Sequence, residues 1–234
     1  MKSSLCAPSI GLVYYSVNTA SQLNRRAGRG KWAAMCNLYS MTATVDEMRR
    51  IFGSFDGDTS NLPPFDEIYP GHSAPVLRRR DDGGMKLDMM QWGFPGPQAA
   101  GGRPVTNVRN LASPFWRNAL GDPARRCIVP VTSFCEWTAH PDPATKRKAK
   151  AWFSLSAEQH PLFAFAGIWR PGENGPFMAF LTCEANQTVG AVHPKAMPVM
   201  LTPGADIERW LGAERADACA LAVPFADTGM CRVS

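Results

Sequence analysis

Four short stretches of this sequence hold residues that could do chemistry together, and three of them contain a nucleophile or an acid–base group. Cys36 follows Met35, Glu136 precedes Trp137, and His193 precedes a proline. A thiolate attacks electrophilic carbon, and a carboxyl and an imidazole can move protons near neutral pH. Each residue taken alone favours a structural role, namely an inert buried thiol, an ion-paired carboxylate and a core histidine. The stretches are Met35–Ser40, Thr106–Arg109, Arg126–Pro130 with Phe134–Trp137, and Glu184–Asn186 with His193–Leu201.

Short strands and a few helices must bring these stretches together. Thr44-x-x-Glu47 predicts a capping box at a helix start, and apolar residues at helical spacing follow it. The turn-rich segment Arg170–Pro176 predicts a hairpin loop. There is no βαβ alternation, so we predict an α+β fold with a mainly antiparallel, barrel-like sheet core and a few short flanking helices. The predicted strands are Met85–Trp92, Cys127–Val131, Phe134–Trp137, Trp152–Leu155, Phe163–Trp169 and Met178–Thr182, and the short helices are Pro114–Leu120 and Asp206–Leu211.

Composition excludes several classes of protein. Apolar residues make up 45% of the 234 residues and charged residues 19%, which allows a packed core and excludes general disorder. No apolar run approaches the about 18 residues that a membrane-spanning helix needs. The seven cysteines form no CxxC pair, and the four histidines do not fall at zinc spacings. We therefore expect reduced cysteines in a cytoplasmic protein, with no metal and no cofactor.

The net charge of +5 belongs to residues 1–34, which hold five basic residues and no acidic one. Residues 35–234 then carry equal numbers of basic and acidic side chains, so a nucleic-acid site there must be a local patch. The basic extension fits a transit peptide, a disordered tail, or an untranslated segment if translation begins at Met35. The expected domains are this extension, 1–34, and one globular domain, 35–234. The segment His140–Lys150 is a basic loop, for which we favour a solvated loop over a phosphate-contacting edge.

Taken in this order, the four stretches resemble the SRAP family, the SOS response-associated peptidases, which process abasic sites. The resemblance covers about residues 35–211. It implies that Cys36, exposed as the first residue, is a 1,2-aminothiol that reacts with the aldehyde of an abasic deoxyribose. The amine forms a Schiff base and the thiol closes a thiazolidine ring, giving a covalent DNA–protein cross-link in the DNA-damage response. An internal cysteine lacks the free amine and cannot close that ring.

The resemblance also implies roles for other positions. Asn107 would orient the Cys36 amine or the opened sugar, Glu136 would pass protons, and His193 would act as acid or base. Arg109 would pair with a phosphate beside the lesion. The sequence departs from the usual pattern at several positions, among them Leu38, Cys135 and Lys195, and these changes affect the details of DNA contact more than the chemistry.

The resemblance implies that the partner is DNA containing abasic sites, either single-stranded or at a single-strand/double-strand junction, and we predict the single strand. We expect a monomer that associates with the nucleoid after damage. Trp92 and Phe94 could stack on bases or pack in the core, and Arg126 and Lys195 could replace lost positive charge. Two alternatives stay open. The chain could be a cysteine peptidase that removes its own N-terminal segment, or a non-catalytic module that binds single-stranded DNA.

Overall fold

The computed structural model describes residues 36–60, 62–97, 101–156 and 162–233. The predicted extension 1–34, Met35 and His160 lie outside these residues. The strands are β1 (Tyr39–Met41), β2 (Phe55–Asp56), β3 (Phe65–Ile68), β4 (Ser73–Arg79), β5 (Met85–Trp92), β6 (Asn107–Val108), β7 (Arg126–Val131), β8 (Ser133–Trp137), β9 (Lys150–Leu155), β10 (Phe163–Arg170), β11 (Phe177–Cys183), β12 (Met197–Pro198), β13 (Met200–Leu201) and β14 (Met230–Arg232). The helices are α1 (Val45–Phe52), α2 (Arg117–Gly121), α3 (Gln187–Gly190), α4 (Ala205–Gly212) and α5 (Arg215–Cys219), with 3₁₀ turns at Pro114–Trp116, Pro123–Arg125 and Asp227–Gly229.

Two sheets form the core, and most of their strand pairs are antiparallel. The smaller sheet has the order β14-β9-β8-β1-β3. In the larger sheet, β11, β10, β7, β4 and β5 pair in sequence, and β11 also pairs with β5 in parallel, so these five strands close a ring. The predicted α+β class with a mainly antiparallel, barrel-like core is confirmed.

An aromatic cluster joins the two sheets. The Tyr39 ring of β1 makes edge contacts with Trp92, Phe165 and Phe180 of the larger sheet, with ring centroids 5.3, 5.8 and 6.1 Å away. Phe134 of β8 also packs edge-on against Phe165. Such pairs contribute about 0.5–1.5 kcal/mol each beyond their buried area. The cluster therefore fixes β1 and β8 over the ring of strands.

The local sequence signals are confirmed closely. The Thr44 hydroxyl accepts from the Glu47 amide at 3.2 Å, and the Glu47 carboxylate accepts from the Thr44 amide at 2.7 Å, which completes the capping box. Strand β5 has the predicted bounds, the predicted hairpin loop joins β10 to β11, and α4 extends one residue beyond the prediction at each end. The predicted helix over Pro114–Leu120 is a 3₁₀ turn followed by α2.

The prediction that Arg126 contacts DNA is wrong, because its side chain is fully buried. Its guanidinium donates to the carbonyls of Leu120, Trp210 and Ala213 at distances of 2.6–3.2 Å. These carbonyls lie at the C-terminal ends of α2 and α4, where a helix leaves acceptors unpaired and favours positive charge. Arg126 therefore ties two helices to β7.

Of the two roles left open for Trp92 and Phe94, the structure supports core packing, and the base-stacking role is wrong for this fold. Trp92 is fully buried, stacks on Phe180 with centroids 4.9 Å apart, and donates its indole N–H to the Thr106 carbonyl at 3.0 Å. Phe94 is 2% exposed and packs against Trp116. Both rings belong to the core.

We predict that Arg126→Met lowers the free energy of unfolding by about 2–4 kcal/mol, because buried carbonyls lose their donor. Urea denaturation measures this. Arg125→Met is the control, since that neighbouring guanidinium is partly exposed over the Trp169 ring, and it should cost less than about 1 kcal/mol. A fully stable Arg126→Met protein with weakened DNA affinity would restore the original assignment.

Candidate functional site

Cys36 lies where the chain enters β1, and neighbouring strands fix its position. Tyr39 pairs with Phe134 of β8 and with Ile68 of β3, so β1 is held on both edges. The Leu38 carbonyl extends the β8 pairing by accepting from the Cys135 amide at 2.9 Å. Cys36 itself is fully buried, and its thiol lies 3.9 Å from the Leu38 carbonyl oxygen.

Asn107 fixes the main chain of Cys36. It opens β6, which runs parallel to β11 with Asn107 beside Phe180. Its side-chain amide donates to the Cys36 carbonyl at 3.1 Å and to the Thr106 hydroxyl at 3.0 Å, and the residue is 5% exposed. The amide therefore orients the peptide unit of Cys36.

Glu136 and His193 meet beside the thiol. Glu136 projects from β8 with 1% exposure, and His193 follows α3 with 6% exposure. His193 Nδ1 is 3.5 Å from Glu136 Oε2 and 3.3 Å from the Ala196 carbonyl oxygen. The Glu136 carboxyl also lies near the Cys36 thiol. The four residues predicted to be catalytic thus lie together in the fold.

Burial sets the protonation states of this group. It raises the pKa of the Glu136 carboxyl to about 8, against a smaller opposing effect from the hydrogen bond with Cys36. Burial also raises the pKa of the Cys36 thiol well above its usual value, and the nearby Glu136 charge raises it further. At neutral pH the resting site therefore holds a protonated carboxyl and a protonated thiol.

Four buried polar atoms in the described part of the chain have no hydrogen-bond partner: Tyr39 Oη, Asn107 Oδ1, Glu136 Oε1 and Thr182 Oγ1. Two of these belong to the predicted catalytic residues. An unmade hydrogen bond in the interior costs about 1–3 kcal/mol, so such atoms mark a place where a ligand or water can bind.

Sequence reasoning did not select Tyr39 or Thr182. Thr182 follows Phe180 by two residues on β11 and so shares its inward face. It carries the one hydroxyl of β11, whose other side chains are apolar or a thiol, and that pattern could have identified it. Tyr39 offered the weaker signal of a phenol three residues after Cys36.

Two of the predicted DNA-binding residues are accessible. Arg109 is exposed two residues after Asn107, and its guanidinium donates to the Cys183 carbonyl. Lys195 is exposed two residues after His193. Each cation is thus carried by the same short segment as a residue of the site.

The described residues contain no cluster of side chains suited to a metal ion. His72 and His140 are exposed. Within the same part of the chain, no helix is both long and apolar enough to cross a membrane.

Comparison with known proteins matches residues 35–234 to the family model described as SOS response associated peptidase (SRAP). Abasic site processing protein YoqW of Bacillus subtilis is 28% identical over 199 residues, covering 78% of this chain and 83% of the relative. Abasic site processing protein YoaM of the same organism is 28% identical over 193 residues, covering 76% and 79%.

Solved structures share the fold. A protein from Bacteroides thetaiotaomicron superposes with a TM-score of 0.68 at 22% identity, covering 84% of this chain and 90% of that one. A protein from Bordetella bronchiseptica gives a TM-score of 0.66 at 20% identity, covering 85% and 100%.

The raised pKa of Glu136 predicts a pH-dependent stability. Between about pH 4.5 and pH 8 the folded protein keeps a proton on Glu136 that the unfolded chain has lost. The free energy of unfolding should therefore fall as pH rises through this window, by up to about 1.4 kcal/mol per pH unit. Glu136→Gln should remove this contribution.

Urea denaturation of both proteins at pH 5, 6, 7 and 8 measures the difference. Glu184→Gln, on an exposed glutamate, serves as the control and should keep the wild-type slope. Equal slopes for wild type and Glu136→Gln would show that the buried carboxyl is ionised throughout.

Proposed function

The chain belongs to the SRAP family, and we propose that it processes abasic sites in single-stranded DNA by forming a covalent cross-link through Cys36. Relatives named abasic site processing proteins support this proposal. The observation that carries it is the arrangement around Cys36. Asn107 holds the carbonyl of Cys36, while Glu136 lies near its thiol and beside His193.

The proposed reaction needs a free α-amine on Cys36, so the active species begins at that residue. The amine attacks the aldehyde carbon of the opened deoxyribose and forms a carbinolamine. Loss of water from this adduct gives a Schiff base. The thiol then adds across the C=N bond, with sulfur joining carbon and the proton joining nitrogen, which closes the thiazolidine ring.

Glu136 and His193 divide the proton transfers. Glu136 is protonated at neutral pH and can donate to the departing hydroxyl of the carbinolamine. His193, 3.5 Å from that carboxyl, can accept the thiol proton and pass it on as the ring closes. The same groups can work in reverse, which would reopen the ring and release the DNA.

The remaining residues bind the substrate. The free Oδ1 of Asn107 can accept a hydrogen bond from the Cys36 amine or from a sugar hydroxyl. Arg109 and Lys195, both exposed, can pair with the phosphates on either side of the abasic sugar. An abasic nucleotide has no base to read, so this site needs no base-specific contacts.

Removal of the chain's own N-terminal segment is a second candidate activity. Its support is that 35 residues precede Cys36 in the sequence and that Glu136, near the thiol, lies 3.5 Å from the imidazole of His193, a group that could serve as the base of a peptidase. Intact-mass measurement tests it. Self-cleavage yields a species that begins at Cys36 in wild type and not in Cys36→Ala.

We predict that Cys36→Ser loses the heat-resistant adduct and keeps its affinity for single-stranded DNA. The serine amine still forms a Schiff base, but its hydroxyl closes a less stable ring than a thiol does. Denaturing gels with a single-abasic-site oligonucleotide should show the adduct of the variant only after borohydride reduction. Cys219→Ser, a change at a free cysteine outside the site, is the control and should behave as wild type.

An unreduced, heat-resistant adduct of Cys36→Ser at wild-type yield would refute ring closure by sulfur. A wild-type protein that binds the oligonucleotide but never forms an adduct would instead indicate a non-catalytic binding module.

Glu136→Gln and His193→Ala should each slow cross-linking by about 10²-fold, because each removes a proton carrier and no phosphate contact. Binding, measured separately by fluorescence anisotropy, should change less than about twofold. Glu136→Gln should also remove the titration near pH 8 from the pH–rate profile. Asn107→Ala is the comparison, since loss of positioning should lower the rate with less change in its pH dependence.

If both variants matched the wild-type profiles for cross-link formation and release, Glu136 and His193 would be structural, and only Cys36 would remain as a reacting group.

A further inference from the structure

The hairpin that joins β8 to β9 carries three consecutive basic side chains, Lys146, Arg147 and Lys148, all exposed. Most arginines and lysines of the sheets lie within 4 Å of a carboxylate, as Arg78 does with Asp88 and Lys150 with Glu67. Among the described residues, no carboxylate lies that close to the three hairpin cations. Among these residues, their charge is therefore not neutralised by an ion pair.

Hydrogen bonds hold this hairpin in one shape. The Thr138 amide donates to the Ala149 carbonyl at 3.0 Å, which extends the β8–β9 ladder by one pair. At the tip, the Asp142 amide donates to the Arg147 carbonyl at 2.8 Å, and the Lys146 amide donates to the Asp142 carbonyl at 2.8 Å.

The side chain of Asp142 completes the turn. Its carboxylate accepts from the amides of Ala144 and Thr145 at 2.9 and 2.7 Å. These bonds lower the pKa of the Asp142 carboxyl, so it stays ionised. The three cations are thus presented by an ordered turn, which reduces the entropy lost on binding.

The hairpin begins at the candidate site. Glu136 pairs with Ala151 and Trp137 with Lys150, and the Trp137 indole donates to the Asn37 side chain at 3.1 Å. Lys148 precedes Ala151, the partner of Glu136, by three residues. At about 3.3 Å per strand residue, Lys148 therefore lies about 10 Å from Glu136 along the hairpin. The tip lies further out along the same path.

We infer that this basic hairpin, Lys146–Lys148, binds the phosphates of the DNA strand that flanks the abasic site, several nucleotides from the reacting sugar. A reach of about 10–20 Å corresponds to roughly three to six nucleotides at 3.4 Å per stacked nucleotide. The inference rests on the proposed function, since it needs the abasic sugar at Cys36. It extends the DNA contact beyond Arg109 and Lys195 in a domain whose net charge is close to zero.

The test compares two triple variants that each remove three positive charges. The hairpin variant is Lys146→Ala/Arg147→Ala/Lys148→Ala, and the control is Arg50→Ala/Lys86→Ala/Arg209→Ala, on α1, β5 and α4. Binding is measured by anisotropy with single-stranded oligonucleotides that have two or ten nucleotides on each side of a central abasic-site analogue lacking the aldehyde. Cross-linking to true abasic sites is measured on the same lengths.

For the long oligonucleotide, the hairpin variant should bind about tenfold more weakly than wild type at 0.1 M salt. The negative slope of log K against log salt concentration should become shallower by about 2, because three phosphate contacts are lost. For the short one, it should match wild type. The control variant should match wild type on both lengths. Cross-linking by the hairpin variant should reach the wild-type rate at saturating DNA, with a higher half-saturating concentration.

Asp142→Asn changes the charge of the hairpin in the opposite direction, because it makes the hairpin more positive where the triple variant makes it less positive. Asparagine keeps the side-chain oxygen that accepts from the turn amides and removes the negative charge, so the long oligonucleotide should bind about threefold more tightly.

Equal losses in the two triple variants, or equal losses on short and long DNA, would overturn the inference. The proposed function fails separately, through absence of an adduct in wild type, while anisotropy still reports on the hairpin.

Discussion

The hydrogen bond from the Asn107 amide to the Cys36 carbonyl, 3.1 Å long, fixes the point at which the chain enters β1. The pairing of β1 with β3 and β8 fixes the direction of β1. The aromatic contacts of Tyr39 fix the distance between β1 and the larger sheet. A backbone held in this way fixes the position of Cys36, and the main-chain nitrogen and the thiol of one residue necessarily lie close together. Chemistry that uses an amine and a thiol together depends on that constraint, because the two groups must reach a single carbon atom.

Burial sets the protonation state of the Glu136 carboxyl in the site. In water a glutamate is ionised at pH 7, whereas the interior raises the pKa of Glu136 to about 8 and makes it a proton donor under the same conditions. The unpartnered atoms Asn107 Oδ1 and Glu136 Oε1 cost about 1–3 kcal/mol each in the unliganded protein. A substrate that hydrogen-bonds to them recovers that energy. The tightly packed aromatic cluster beneath offsets this cost and keeps the site in place.

Local patterns in the sequence predicted the capping box at Thr44, most of the longer strands and the class of the fold, because these features depend on neighbouring residues. The resemblance predicted which four residues lie together, although they are spread over more than 150 positions. The prediction of a DNA contact for Arg126 failed because a sequence does not show that α4 packs on β7. In the structure, the last carbonyls of α4 accept hydrogen bonds from the Arg126 guanidinium. Tyr39 and Thr182 were missed because an unpartnered hydroxyl is visible only in three dimensions.

Peptide-level mass spectrometry of the cross-link formed with single-abasic-site DNA identifies the residue that carries the DNA and so tests whether Cys36 reacts as an aminothiol. We expect one modified peptide, with Cys36 as its first residue and its mass raised by that of the abasic fragment less one water. Borohydride should leave that mass unchanged, because a thiazolidine has no C=N bond to reduce. A cross-link on a lysine, or on Cys36 inside a chain that still carries Met35, would contradict the aminothiol mechanism.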